Sequence, residues 1–288
     1  MNLSGEVALV SGGASGIGLA LARGLVSRGA RVAIGDVNAD SLARAAEMLK
    51  QAGIAVLPVK LDVAIAASWE AAAAVITDSL GPVGILCNNA GVGTGTRDTT
   101  TLDLADWNWV VGINLTGVFL GTRTFAPGMV SRGSGHILNT ASVMGLFPKP
   151  RHAAYVATKF AVVGYSESLR IELAPAGVGV TVLCPGLVTT PLRENSQKVK
   201  PSNSVGADIA AAVAALASEG RPAGIDPAEV AATAIDAVEQ NRLYAITHRE
   251  YDSVIEERQR RLSEGFAYAP LHEPPEDPTF LAAEFLNN

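Results

Sequence analysis

Charge is sparse in this chain: only 17% of its 288 residues are Asp, Glu, Lys or Arg, and they balance to −6. A broad nucleic-acid surface needs clustered Lys and Arg, so nucleic acid is excluded as a partner and any phosphate must be held locally. Cysteine is nearly absent. Cys87 and Cys184 each end an apolar run, the place of a small buried hydrophobe rather than a disulfide or metal ligand. A reducing, cytoplasmic setting is therefore expected. Four histidines are scattered without a second ligand at metal spacing, and no metal is expected. Met1 to Glu6 contain no basic region ahead of an apolar stretch, so no signal peptide is expected. No apolar run is long enough to cross a bilayer, and no membrane partner is expected.

What the chain does have is apolar bulk: 48% hydrophobic residues and 29 glycines, with apolar runs alternating with alanine-rich stretches. Strand-like runs fall at Val7–Val10, Arg31–Gly35, Val56–Leu61, Gly84–Cys87, His136–Thr140, Gly179–Cys184 and Leu243–Ile246. Helical stretches separate most of them. This rhythm predicts an α/β fold, a Rossmann-type doubly wound parallel sheet of about seven strands in a single domain. Residues 1–248 would form that domain, with a substrate lid at 190–225 that includes the polar stretch Arg193–Ser204 and the alanine-rich Ala207–Ala217. Asp226-Pro227-Ala228-Glu229 reads as a helix start with Asp226 as cap and Glu229 completing a capping box. Residues 249–288 would be a C-terminal extension, with a charged helix at Glu250–Leu262 and a Pro-rich stretch from Pro270 to Pro278 before Phe280–Leu286.

Gly12-Gly13-Ala14-Ser15-Gly16-Ile17-Gly18 follows the first strand and opens a helix. Main-chain amides at such a turn can face a pyrophosphate without any basic side chain. Asp36 ends the second strand, eighteen residues past Gly18, where a carboxylate can accept from both hydroxyls of an adenosine ribose and repel a 2′-phosphate. Val37 and Asn38 follow it, with no cation in the glycine turn, so NAD is expected over NADP. Tyr155 and Lys159, four residues apart, share one helix face, with Ser142 thirteen residues before the tyrosine. An ammonium beside a phenol stabilises a tyrosinate. A phenol ordinarily titrates near ~10, and a base useful near neutrality needs a shift of roughly three units, about 4 kcal/mol. That shift is expected from Lys159 together with a bound nicotinamide cation. Ser142 would hydrogen-bond a substrate oxygen and hold it against the phenol.

Taken in order, these residues resemble the short-chain dehydrogenases/reductases from about Leu3 to Ile246. The marks are Gly12 to Gly18, Asp62-Val63, Asn88-Asn89-Ala90-Gly91, Asn114, Ser142, Tyr155-x-x-x-Lys159 and Pro185-Gly186-x-Val188-x-Thr190. The resemblance implies that Asp62 and Val63 bracket the adenine and that Asn89, Ala90 and Gly91 line the cofactor groove. It implies that Asn114 holds a water relaying protons from Lys159, which also grips the nicotinamide ribose. Val188 and Thr190, with Pro185 and Gly186, would hold the nicotinamide carboxamide. Tyr155 would be the general acid or base. Family members are commonly tetramers or dimers, joined by helices that here would carry Trp107 to Phe119 and Tyr155 to Glu172.

Trp107 is expected in the core and Trp109 at a subunit contact. His152, one turn before Tyr155, is a candidate for the pocket wall, whereas His136, His248 and His272 are assigned no role. Asn241 to Tyr244 with Thr247-His248 reads as a last edge strand and its exit turn. Val143, Met144, Leu146, Phe147, Leu187 and Leu192 suggest an apolar pocket. The expected activity is interconversion of an apolar or aryl secondary alcohol and its ketone. Two alternatives stay open: a catalytically silent dinucleotide-binding regulatory protein, and a lyase or epimerase using NAD transiently.

Overall fold

The structure is a computed structural model that describes residues 1–93, 95–200 and 224–270. Seven parallel strands form its centre: β1 (Val7–Ser11), β2 (Arg31–Asp36), β3 (Val56–Lys60), β4 (Ile85–Asn88), β5 (Gly135–Thr140), β6 (Val178–Cys184) and β7 (Tyr244–Ile246). Their order is β3-β2-β1-β4-β5-β6-β7. The expected strands are all present, shifted by a residue or so at their ends. β1, β4, β5 and β6 are buried along their whole length, as strands covered on both faces must be. Pro58, which has no N–H to give a ladder, sits in the edge strand β3.

One layer holds α1 (Gly16–Ser27), α2 (Ala39–Gln51) and α8 (Pro227–Glu239), whose Leu21, Leu42, Leu49, Val230 and Ile235 pack on one face of the sheet. The other holds α3 (Ala66–Leu80), α5 (Gly117–Arg132) and α6 (Ala153–Leu173), with Trp69, Ile76, Phe125 and Met129 on the opposite face. Trp69 meets Phe125 edge to face at 6.2 Å and donates its indole N–H to the Val63 carbonyl at 2.9 Å. Each fully buried Leu, Ile or Phe contributes roughly 1.5–3 kcal/mol. The strand order reverses between β1 and β4, which opens a crevice at the carboxyl ends of the strands.

The start of α8 is capped as expected at Asp226, but the side chain accepts from Ala228 at 2.7 Å, not from Glu229. Within the expected lid, Leu192–Val199 form helix α7, while 201–223 lie outside the described residues. The charged C-terminal helix is α9, Asp252–Phe266; His272 and the rest of the Pro-rich stretch lie beyond the described residues. Trp107 corrects the sequence reading: on α4 (Leu104–Val111) it is 37% exposed, whereas Asp106 and Val110 face inward and Trp109 is half-buried. Val143, expected in the pocket wall, is buried at 4% exposure.

Candidate active site

All the expected site residues cluster at or near the carboxyl edge of the sheet. In the glycine turn, Gly12 has φ +64° and a Cβ there would lie 2.9 Å from the Ala90 backbone. At Gly18 a Cβ would lie 2.2 Å from the Gly12 carbonyl oxygen. Any side chain at either position would break the turn. Ser15 precedes α1 without a side-chain cap, and no acidic residue stands in the helix's first turn. Its leading amides thus remain available to an anion, a fit to a dinucleotide pyrophosphate. Ile17 is the second residue of α1, behind that turn. Asp36 accepts from the Asn38 amide at 3.0 Å and the Ala14 amide at 3.4 Å. Burial raises its carboxyl, and the Asn38, Ala14 and Val37 amides oppose that rise. Val37 beside it is exposed.

Past β3, Asp62 turns the chain by accepting from the Ala64 amide at 3.0 Å, and Val63 packs against Gly117. Past β4, Asn89 donates to the Ser11 carbonyl at 3.0 Å and accepts from Thr140 at 3.3 Å, tying together three strand ends. Ala90 donates to the Ser11 hydroxyl at 3.1 Å. Gly91 stands between two functional side chains: a Cβ there would lie 3.4 Å from Asn114 Oδ1 and 3.7 Å from Lys159 Nζ.

Asn114 occupies a π-helical turn, Gly112–Thr116, between α4 and α5. Its side chain is fully buried and hydrogen-bonded. It accepts from the Val92 amide at 2.8 Å and donates to the Val92 carbonyl at 2.9 Å and to Thr158 at 3.3 Å. The side chain thus clamps Val92, and its Oδ1 keeps one lone pair.

Tyr155 stands in the first turn of α6 and Lys159 one turn on. The ammonium lies 5.5 Å from the centroid of the phenol ring and donates to the Thr140 carbonyl at 2.8 Å. Ser142 lies beside the phenol, and its hydroxyl is held by the Met144 amide at 3.1 Å and the Pro185 carbonyl at 3.4 Å. Burial pushes the Tyr155 phenol above its ordinary value, opposed by the nearby Ser142 hydroxyl. The expected lowering joins Lys159 with a bound nicotinamide cation; in the chain by itself burial prevails. Burial also lowers Lys159, to about 8, opposed by Cys184. A cation about 5.5 Å from the ring of a forming phenolate contributes about 3 kcal/mol at an effective dielectric near 20, in opposition to burial. His152 is half-buried and its ring bonds the Pro150 carbonyl at 2.9 Å.

After β6, the Pro185 carbonyl accepts from the Val143 amide at 3.0 Å. Val188 pairs with Ile225 in an isolated bridge, and Thr190 packs across from Gly16, whose Cβ would lie 3.1 Å from the threonine methyl. Leu187 and Leu192 present exposed apolar side chains beside it. Sequence reasoning missed three contributors. Asn195 on α7 donates to the Ser15 hydroxyl at 3.0 Å, and Ser196 accepts from the Gly93 amide at 3.0 Å. His248, given no role, bonds Gly186. Its one sequence signal was its place just past the carboxyl end of a strand, where Asn89, Ser142 and Pro185 also lie.

The profile of the short chain dehydrogenase family matches residues 6–201. A 2,5-dichloro-2,5-cyclohexadiene-1,4-diol dehydrogenase of Sphingobium indicum is 38% identical over 194 residues, covering 67% of this chain and 77% of that protein. A 3-alpha-(or 20-beta)-hydroxysteroid dehydrogenase of Mycobacterium tuberculosis is 41% identical over 194 residues, 67% of this chain and 72% of its own. Among solved structures, a short chain dehydrogenase/reductase from Burkholderia phymatum in complex with NAD superposes with a TM-score of 0.84. It is 33% identical, and the likeness covers 96% of this chain and 99% of that one. A glycine turn built for a pyrophosphate, a tyrosine and lysine one helical turn apart, and relatives of this closeness lead to one assignment: the chain belongs to the short-chain dehydrogenase/reductase family, an oxidoreductase family.

Proposed function

We propose that this enzyme interconverts a secondary alcohol and a ketone using NAD, with an apolar or aryl substrate and Tyr155 as the general acid or base. One observation carries the reading: the Lys159 ammonium sits 5.5 Å from the centroid of the Tyr155 ring, with Ser142 beside the phenol, at the sheet edge that also bears the glycine turn. Bound nicotinamide supplies the hydride acceptor or donor. Tyr155 Oη takes the proton of the carbinol oxygen, or returns it to the ketone, while Ser142 Oγ holds that oxygen in place. Lys159, anchored to the Thr140 carbonyl, stabilises the phenolate as it forms. The positive end of α6 adds to this, because Tyr155 lies in its first turn. Asn114, whose Oδ1 keeps a lone pair beyond its bond from the Val92 amide, holds the water that relays protons from Lys159.

NAD is favoured over NADP because the Asp36 carboxylate stands at the end of β2, beside the glycine turn. The printed names of the relatives, a chlorinated cyclohexadienediol dehydrogenase and a hydroxysteroid dehydrogenase, accord with an apolar cyclic alcohol. α7, fastened to Ser15 and Gly93, forms the described part of a substrate lid spanning 190–225, and 249–288 form an extension of the catalytic domain. Exposed Trp107 and Phe119 suit a homodimer or homotetramer built on α4, α5 and α6. No helix among the described residues is long and apolar enough to cross a membrane, and both thiols are buried and free, which suits a cytoplasmic enzyme.

The test is Tyr155→Phe, assayed by nicotinamide absorbance against a panel of secondary alcohols from small aliphatic to bulky aryl and steroid-like. Turnover of the best substrate should fall by roughly 10²- to 10⁴-fold with NAD affinity retained. A variant that keeps most of its turnover would remove the phenol from the chemistry.

A further inference from the structure

We infer that His248 is a positioning residue that sets the main chain of the Pro185–Val188 loop, and through it the nicotinamide end of the site; the inference rests on the cofactor reading above. The residue lies beyond the stretch 6–201 that the family profile matches. It is 5% exposed although it follows the edge strand β7, whose Tyr244 and Ile246 are 38% and 44% exposed. The chain has turned this one side chain inward.

The ring bonds main-chain groups of two consecutive residues. Nδ1 lies 3.1 Å from the Gly186 amide nitrogen, and Nε2 lies 3.1 Å from the Leu187 carbonyl oxygen. An amide N–H can only donate and a carbonyl can only accept, so Nδ1 is the bare nitrogen and Nε2 carries the proton. The Thr247 hydroxyl, 2.7 Å away, can donate to the same bare nitrogen. With both nitrogens engaged, His248 has no free nitrogen for proton transfer, which makes it a positioning residue and not a catalytic one.

The contact is tight on the loop's side as well. A Cβ at Gly186 would lie 2.6 Å from Cγ of the ring, so the imidazole packs directly on that glycine. Behind it, the Tyr251 ring lies 6.1 Å away and in turn meets Phe147 at 5.2 Å. The loop is thus gripped from three sides, the third being Ile225, whose amide donates to the Leu187 carbonyl at 3.0 Å and whose carbonyl accepts from the Thr189 amide at 3.0 Å. Pro185 is held by Val143 and Ser142 at the end of β5, and Gly186 and Leu187 by His248 at the end of β7. Val188 and Thr190 follow immediately and inherit this geometry. Removing the ring's acceptor would leave the Gly186 N–H without its partner in a half-buried loop, where an unmade hydrogen bond is expensive.

Two variants of the full-length protein test this. His248→Phe keeps the ring and its packing but removes both hydrogen bonds; His248→Asn retains an acceptor near the Nδ1 position. Hydrogen exchange of peptides covering 185–189 in the free protein, NAD affinity by calorimetry and the split between KM for NAD and kcat are measured for each. In His248→Phe, exchange over 185–189 and the dissociation constant for NAD should each rise about tenfold, with peptides of β1 to β5 unchanged. His248→Asn should recover part of both. Wild-type exchange and affinity in His248→Phe would overturn the inference, as would a rise in exchange spread evenly over the molecule. Should His248→Phe fail to fold, Gly186→Ala displaces the ring from the other side and must produce the same local loosening, its absence being equally fatal. If the wild-type protein binds no NAD, the cofactor reading fails while the exchange measurement still decides the role of His248.

Discussion

Asp36 has a structural job besides the one proposed for it. Its oxygens take the Asn38 and Ala14 amides, which latches the end of β2 to the glycine turn, and lone pairs remain for a ribose. Arg44 and Lys198 line the cleft beside Ala14 and Ser15, so cations are near once the carboxylate is gone. In Asp36→Ala, the ratio of NADP to NAD dissociation constants should fall by at least about tenfold, because a like-charge repulsion is lost. Calorimetry with each dinucleotide measures it, and an unchanged ratio would show that the carboxylate does not select. Asp36, the glycines and the Tyr155–Lys159 pair were legible in the sequence because short spacings on known elements fix their neighbours. His248 was not, since its partners are the main-chain N–H of Gly186 and C=O of Leu187, about sixty residues away in sequence, and every residue type offers such groups. The environment of Tyr155 was half legible: the spacing brought Lys159 alongside, but burial, which raises the phenol, is a property of the folded molecule.

At the scale of elements, α7 is the segment whose placement the sequence did not foretell. Three side chains fasten it: Asn195 to Ser15, Ser196 to Gly93, and Lys200, just past its end, to Asp106 on α4. The last pair is buried, with side chains 8% and 1% exposed, and closes at 2.9 Å outside good hydrogen-bond geometry. Plain attraction between charges carries it, and losing one partner strands the other. Removing one partner of a buried pair costs roughly 3–5 kcal/mol when the other charge stays buried, but Lys200 can escape to water if α7 lifts. Asp106→Asn should therefore open α7 rather than unfold the domain. Hydrogen exchange over 192–200 should quicken by about tenfold or more, and KM for the alcohol should rise, with β-strand exchange unaltered. Unchanged exchange in α7 would show that the pair does not hold the helix down. Asp106 also explains Trp107: once the carboxylate and Val110 face inward on one side of α4, the adjacent indole points out.

For the whole molecule, the buried polar groups of the central strands set the response to acid. His136 on β5 is 1% exposed and bonds Thr181 on β6 at 2.8 Å; the Thr181 hydroxyl donates onward to the Arg242 carbonyl. Burial, aided by the positive charges of Arg170 and the N-terminus, lowers the imidazole from its usual value to about 3. Above pH ~6.5 the ring is neutral folded and unfolded alike, and it contributes no pH dependence. As the pH falls from ~6.5 toward 3 the unfolded chain takes up a proton that the folded one refuses, so stability is lost by an amount on the order of 3–5 kcal/mol. His136→Gln, which can still donate to Thr181, should flatten that limb. Denaturant unfolding of both proteins at pH 7 and pH 4 reads the difference, and parallel losses would exclude His136 as the source.

Periodicity and spacing in the sequence determined the seven strands, the parallel sheet, the dinucleotide turn and the Tyr155–Lys159 pair, because each depends on neighbours within one element or one strand-turn-helix unit. The tertiary structure alone decided the rest. Which face of α4 is inward, that Asn114 clamps Val92, that α7 is tied across the crevice and that His248 grips Gly186 all follow from groups far apart in sequence meeting at the sheet's carboxyl edge. Those meetings are chosen by close packing and by the need of every buried polar group for a partner, and neither constraint exists until the chain has folded.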